Sequence, residues 1–581
     1  MAHHSVTALP LKQEVIHTED VDSPSGNITE PSSSEEEDDG SSSWSWRTQA
    51  AVFALSLAWG ASAFGLTGPN SAIGYVVNEY PESASDGSWI ANTPLFCIVT
   101  LPPILGAASD RYGKRWFLII GGLLGVIGSA ISGKATSMNM VIGGQTLCGI
   151  AGANLTLGVP AGMEVVAAKH RTLVVSVMSF INSVCSVVSL VAFGACIERG
   201  LDWRWGFRIL ACVYALAVVM VALFFNPPPP RLRQQGTFTQ LLKSIDFIGI
   251  LLLSSGGAIL AVALAWGGVT YPWKDAHIIP LLIAGPVLLI LFGLYEWKCR
   301  PDGIMHHAFF ESHSFVVYMI FGTVDGMLLY GLSVFIPKQL LAVYYPGPLM
   351  LAGHVAIFYS CLLAGFMILG FLSTKTKAFK WPLVISSLFL TLFCGLTANS
   401  KTSNKDYFLG MIAMDGLLTA ATEVFPVAGI GLIVPHHLIG TSISVLSTFR
   451  GLGGAVGISI FTSVYNNKVS SFIPEQVTPV LVQANLPQEL FPTIFQILFS
   501  APAALASLPI LTADNIKDIL VASAIGAARG FKEVWFGVMG MSAICLVVAF
   551  LIVDTPEKMT DHIESKLEKD LVSNKKYTLS A

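Results

Sequence analysis

The chain is 581 residues long, 53% hydrophobic and only 12% charged, with a formal net charge of −4 and a mean hydropathy of +0.65. That balance excludes an ordinary soluble domain and points to an all-α polytopic membrane protein. No basic region is concentrated enough to suggest nucleic acid.

The first 47 residues are polar, with the acidic run Glu35-Glu36-Glu37-Asp38-Asp39 and no apolar stretch of the signal-peptide kind. They are expected to form a disordered tail. Fourteen apolar runs follow, each near the ~20 residues that carry a helix across hydrocarbon. Their cores are 49–68, 87–105, 116–133, 139–163, 173–196, 207–225, 247–266, 278–295, 315–336, 350–373, 381–398, 407–434, 439–464 and 533–553. Trp44, Trp46, Trp273, Trp381 and Trp535 stand near the ends of runs, as interfacial anchors do.

The first run carries Gly65-Leu-Thr-Gly68-Pro69-Asn70, a sequence expected to break or kink its helix. With Trp59, Phe64 and Tyr75 it could line a cavity for a bulky, partly apolar ligand. Between the second and third runs stands Gly106-Ala-Ala-Ser-Asp110-Arg111-Tyr-Gly113-Lys114-Arg115. So short a turn forces its flanking helices to be adjacent and antiparallel, and its charges must stay in water or among headgroups. Gly106 would permit close helix approach and Gly113 a left-handed turn.

Charge then sets the topology. With the N-terminus inside, the inner connections carry Arg111/Lys114/Arg115, Lys169/His170/Arg171, Arg231/Arg233/Lys243, Lys298/Arg300 and Lys375/Lys377/Lys380, while the outer ones are acidic or mixed. An even number of spans returns Lys566, Lys569, Lys575 and Lys576 to the same side. Residues 467–530 read as an external loop of short amphipathic helices at the membrane surface. Its apolar run 490–511 is interrupted by Pro492, Pro502 and Pro509, and would have to span for the C-terminus to lie outside.

Ionisable residues inside spans are costly and generally face a partner or a cavity. Asp325 lies mid-way along span nine, Asp415 and Glu423 in span twelve, and Arg450 in span thirteen. A titratable carboxylate with Arg450 as counter-charge would couple transport to protons; a static buried ion pair is the alternative. Asp325, with no partner near it in sequence, is the first choice for proton carrier. Glu164 and Glu296, at inner ends of spans, read as solvated interfacial groups. The stripe Gly451-Leu-Gly453-Gly454-Ala-Val-Gly457 suits close packing or a helix that flexes. No phosphate-loop motif is present, and the His pairs (His3/His4, His306/His307, His436/His437) cannot complete a metal sphere. Nine cysteines (Cys97, Cys148, Cys185, Cys196, Cys212, Cys299, Cys361, Cys394 and Cys545) lie in or beside apolar runs without C-x-x-C spacing, which reads as buried hydrophobes. No metal, cofactor or enzymatic site is expected.

The spacing of the 106–115 turn resembles the loop between helices 2 and 3 of the major facilitator superfamily. Lys169-His170-Arg171, Trp203-Arg204-Trp205-Gly206-Phe207-Arg208 and Ser244-Ile-Asp246-Phe-Ile-Gly249 are similar to stretches of its fourteen-span members. Trp266-Gly267-Gly268-Val-Thr-Tyr271-Pro272-Trp273 looks like the span 7–8 loop of fungal trichothecene efflux pumps and related siderophore transporters. The likeness covers residues 50–555. It implies a proton-driven secondary transporter with two six-helix bundles (48–226 and 301–555) rocking about a central site. A proline-stiffened linker and two inserted helices (227–300) would join them, with a tail over 556–581. Two departures stand out. Drug:proton antiporters carry an arginine where this chain has Gln145, and a Gly-Pro where it has Gly194-Ala195.

The expected function is proton-coupled efflux of a toxin, drug or secondary metabolite by a monomer in the plasma membrane, both termini cytoplasmic. A vacuolar or vesicle membrane is the other location. Ferric-siderophore:proton symport and a non-transporting receptor or sensor are the alternatives.

Overall fold

The computed structural model describes residues 45–559, less 81–82, 84–85, 88, 229–245, 269–270, 300–304, 307–308, 311, 436–437, 485, 501–504, 506–510, 555–556 and 558. The acidic tail, most of the linker, His3/His4, His307, His436/His437 and the C-terminal lysines lie outside the described residues.

Helices account for the regular structure of the described residues, apart from one isolated bridge between Gly267 and Tyr271. The first half comprises α1 (Trp46–Glu79), α2 (Trp89–Thr100), α3 (Pro102–Tyr112), α4 (Lys114–Ser132), α5 (Met138–Leu155), α6 (Gly158–Glu164), α7 (Arg171–Glu198) and α8 (Arg204–Phe224). Next come α9 (Phe247–Trp266) and α10 (Ile278–Cys299). The second half comprises α11 (His313–Gln339), α12 (Pro348–Thr376), α13 (Lys380–Thr397), α14 (Lys405–Ile433), α15 (Ile439–Gln483), α16 (Phe491–Ser500) and α17 (Ala513–Phe550). Among the described residues, thirteen helical segments are long and apolar enough to cross a membrane. A fourteenth span is the pair α2 and α3, bent by 47°. The bend has a local cause: Pro102 and Pro103 supply no amide hydrogens, so the helical ladder stops at Leu101 and restarts. This is the expected fold, two six-helix bundles with two helices inserted between them.

Within the first bundle α1 packs on α7, α4 on α5 and α8, and α2 on α5. In the second, α11 packs on α15, α15 on α17, and α12 on α14. The glycine stripe serves close packing. Gly326 of α11 lies against the Arg450 backbone, and Gly453 of α15 against the Thr323 carbonyl, leaving no room for a side chain at either. The bundles meet where α7 runs along α12 and where α3 abuts the start of α15.

Three local expectations change. Pro69 does not interrupt α1, which runs unbroken over its 34 residues; transmembrane helices accept proline where neighbours cover the freed carbonyl. Trp535 is no interfacial anchor. It is 1% exposed and its indole donates to Gln339 Oε1 at 2.6 Å.

Most of 467–530 is not a set of short surface helices. α15 continues to Gln483, 45 residues and about 68 Å in all, and α17 begins at Ala513. Their extensions pack antiparallel, with Tyr465 and Phe531 ring centroids 4.5 Å apart and Arg529 3.4 Å from Glu475. One buried residue per turn (Tyr465, Val469, Ile473, Val477, Leu481) holds the pair together. So narrow a stripe leaves average hydropathy low while fixing a long helix. Of the run 490–511, α16 takes ten residues, about 15 Å and half the hydrocarbon thickness.

Candidate functional site

The 106–115 turn builds a contact between the bundles. Gly113 has φ +97°, the positive-φ turn expected of it. It turns the chain from α3 into α4 so that Asp110 and Lys114 face each other. Lys114 Nζ bonds Asp110 Oδ1 and Glu164 Oε1, each at 2.7 Å. Glu164 is therefore a partner in a mostly buried ion network, not a solvated end group, because α6 tucks it under α4. The other Asp110 oxygen crosses to the second bundle. It accepts from the Thr441 amide at 2.7 Å and the Thr441 hydroxyl at 2.8 Å. Thr441 is in the first turn of α15, where amides have no intrahelical partner and the helix dipole favours an anion. A side chain at Gly440 would collide with the Asp110 carboxylate, and one at Gly106 with Ser444.

A complementary contact lies beside it. Arg171, 0% exposed, donates from Nη1 to the Gly431 carbonyl at 2.6 Å and from Nε to the Met163 carbonyl at 3.2 Å. Gly431 is in the last turn of α14, where carbonyls are orphaned and a cation is favoured. The first bundle thus holds an anion to the start of α15 and a cation to the end of α14, gripping both ends of one short connection. Arg115 works within its own bundle, donating to Asn226 Oδ1 and to the Ala222 carbonyl at 3.0 Å. Arg111 lies in the last turn of α3.

The second feature is a buried charge cluster. Arg450 Nε of α15 is 2.8 Å from Asp325 Oδ2 of α11, and Arg450 Nη2 is 3.6 Å from Glu423 Oε2 of α14. Asp325 is therefore not alone; glycines at the α11–α15 crossing bring Arg450 onto it. Two carboxylates share one guanidinium, so the trio has an excess negative charge when both are ionised. Asp325 is almost wholly enclosed, while Glu423 and Arg450 keep 9% and 13% of their side chains exposed. Tyr330 of α11 is within electrostatic reach of all three, and Tyr359 of α12 within reach of Glu423.

Asp415 is not part of this set. It faces α13, where it accepts from the Thr397 hydroxyl at 3.0 Å and from the Cys394 thiol at 3.6 Å. The two turns and ~80° separating it from Glu423 suffice to give the two carboxylates different neighbours.

The four residues read as cavity lining differ in burial and partners. Phe64 is buried where α1 meets α7, its carbonyl accepting from Ser189 Oγ at 2.7 Å. Trp59 is half-buried, its carbonyl accepting from Asn182 Nδ2 at 3.2 Å. Tyr75 is 41% exposed, and Gln145 is wholly buried with neither side-chain polar atom hydrogen-bonded. Glu296 is also buried, not solvated, because α10 carries it against Gly249 at the start of α9. Sequence reasoning missed Thr441 and the inter-bundle role of Arg171. The Lys169-His170-Arg171 run gave a signal of topology but none of a partner.

Comparison with known proteins settles the family. The profile of the fungal trichothecene efflux pumps (TRI12) matches residues 28–579. The chain belongs to that family. It is 23% identical over 493 residues to the trichothecene efflux pump of Fusarium sporotrichioides, covering 80% of this chain and 79% of that one. It is 25% identical to an MFS-type efflux pump of a Fusarium species, covering 80% of each. With the acurin A biosynthesis cluster MFS-type transporter of Aspergillus aculeatus it shares 24% identity over 68% of this chain and 72% of the relative. Among solved structures, the human organic anion transporter MFSD10 superposes with a TM-score of 0.52 at 13% identity, over 86% of this chain and 99% of that one. The proton:xylose symporter XylE does so at 0.50 and 12%, over 84% and 95%. The two structures bear out the major facilitator fold, and the efflux pumps among the relatives bear out the reading of this chain as an efflux transporter of that fold in a lipid bilayer.

Proposed function

We propose that this protein exports a small toxic secondary metabolite of the trichothecene kind across the plasma membrane in exchange for protons, as a monomer with both termini in the cytoplasm. The bundles run over 48–226 and 301–555, and no covalent chemistry is performed. The observation that carries the proton is the Arg450 cluster. One guanidinium serves two carboxylates, tightly at Asp325 and loosely at Glu423. Of the two, Glu423 is more exposed and farther from Arg450, so a proton exchanges there at least cost, while Asp325 keeps Arg450 in place. Protonating Glu423 removes the excess negative charge of the trio. Releasing that proton on the other side of the membrane restores it.

The positive-inside bias supports a cytoplasmic position for the 106–115 turn. Asp110 and Arg171 then close the cytoplasmic side by tying the bundles together, and their release opens it. Inside-out vesicles loaded by an imposed proton gradient test the assignment with a tritiated trichothecene. Gradient-driven accumulation is expected, with loss in Glu423→Gln and in Asp325→Asn while both variants reach the membrane. Accumulation without a gradient, or unchanged coupling in both variants, defeats the proton scheme. Uptake of a ferric siderophore into intact cells, with no trichothecene flux, would replace export by import.

A further inference from the structure

The inserted pair α9–α10 occupies the seam between the bundles, touching α2 on one side and α15 on the other. The two contacts differ in kind. Toward α2 there are two specific ties. Ser254 Oγ donates to the Thr100 carbonyl at 2.8 Å. Thr100 is the last residue of α2, next to the proline-made break, where backbone carbonyls lose their helical donors. At the opposite end, Trp266 meets Trp89 edge-to-face with centroids 5.8 Å apart, and Trp89 meets Phe96 likewise. Ser254 to Trp266 spans about 18 Å of α9 and Thr100 to Trp89 about 16 Å of α2. The two helices are therefore matched antiparallel over the whole of α2.

Toward α15 the contact is apolar. A side chain at Gly257 would touch Leu452 Cδ2 at 3.7 Å and Val99 Cγ1 of α2 at 3.5 Å. Among the described residues no hydrogen bond or ion pair is recorded between α9 and α15.

We infer that α9 and α10 travel with the first bundle, clamped to α2 across its break, and that α15 slides along α9 when the bundles rock. The inserted helices then form a fixed wall of the first bundle beside the Arg450 level of α15, and the seam opens between α9 and α15. This rests on the alternating-access reading above but not on the identity of the substrate.

Thiol crosslinking tests it in the full chain, in a background lacking the accessible Cys97, Cys212, Cys299 and Cys361. Gly257→Cys is paired with Val99→Cys to lock α9 to α2, or with Leu452→Cys to lock α9 to α15. A new Cβ at Gly257 makes only ordinary contacts, while Val99→Cys and Leu452→Cys each shorten a buried apolar side chain, so flux of each double variant before crosslinking is the reference for its lock. With a short bis-methanethiosulfonate reagent, whose disulfide links a reductant cleaves, tritiated trichothecene flux is expected to stay within about twofold for the α9–α2 lock. For the α9–α15 lock it should fall at least tenfold and return on reduction. Loss of flux in the α9–α2 lock, or tolerance of both locks, overturns the inference.

If the unlocked parent carries no trichothecene, the substrate assignment has failed and spin-label distances decide. Labels at Ile127, Ile290 and Val547, all exposed on α4, α10 and α17, are compared between the parent and Asp110→Asn. An unchanged 127–290 distance with a shifted 290–547 distance supports the inference. A shifted 127–290 distance, or no shift in either, overturns it.

Discussion

Arg171, on the first bundle, donates a 2.6 Å hydrogen bond to the carbonyl of Gly431, on the second. A guanidinium at the end of one helix and the Asp110 carboxylate at the start of the next use opposite poles of two helix dipoles to hold one connection. Neither contact requires a side-chain partner of opposite charge on the second bundle.

The two halves of this latch separate under mutation. Asp110→Asn keeps the shape but removes the charge facing the Thr441 amide. A charge-assisted bond of this kind contributes about 1.5–3 kcal/mol, so opening of the cytoplasmic side should rise on the order of 10- to 100-fold. Alkylation of a cysteine placed at Ser444, which the closed contact covers, reports it. An unchanged alkylation rate would remove Asp110 from the latch.

Arg171→Lys should not rescue Arg171→Ala. Lysine cannot reproduce the fork that reaches Met163 and Gly431 together. Both variants should lose about 1–3 kcal/mol of stability in the closed state, seen as a lower melting midpoint in detergent. Full rescue by lysine would mean that a point charge is enough.

Asp415→Asn should leave gradient-driven flux within about twofold of the parent, since an amide oxygen can still accept from Thr397, whereas Glu423→Gln should lose coupling. Both are span-twelve carboxylates, so vesicle flux distinguishes position from mere acidity. Loss of coupling in Asp415→Asn would make its α13 environment part of the proton path.

The paired extensions of α15 and α17 should stand in water. A cysteine replacing Val482, 55% exposed near the tip, should react with a membrane-impermeant maleimide added outside intact cells. Gly526→Val, which would meet the Phe472 carbonyl and the Ile473 Cα, should cost about 1–3 kcal/mol and expose the tip to protease. Protection of position 482 would place the extensions in lipid.

The bundle architecture was legible because runs of apolar residues and alternating loop charge are local properties of the chain. The site was only partly so. Arg450 and Glu423 share neighbouring spans, and a counter-charge relation between them could be read directly. Asp325 looked solitary because its partner is far away in sequence and is delivered by the packing of Gly326 and Gly453. Asp415 and Glu423 looked alike because sequence spacing gives an angle around the helix but not which helix waits there. The long α15 escaped notice because its outer half buries a single residue per turn, too few to raise hydropathy.

α15 is one continuous helix from Ile439 to Gln483, with Pro474 and Pro479 inside its outer end. Thr441 stands at its root, Arg450 about two and a half turns up, and Val482 at its tip. A tilt of a few degrees at the root, pivoting near the charge cluster, displaces the tip by several ångströms. On the proposed topology the tip is a mechanical pointer, outside the bilayer, to the state of a lock on the opposite side. A binder raised against the paired extensions would be positioned to read that pointer, or to hold it still, without ever entering the transport path.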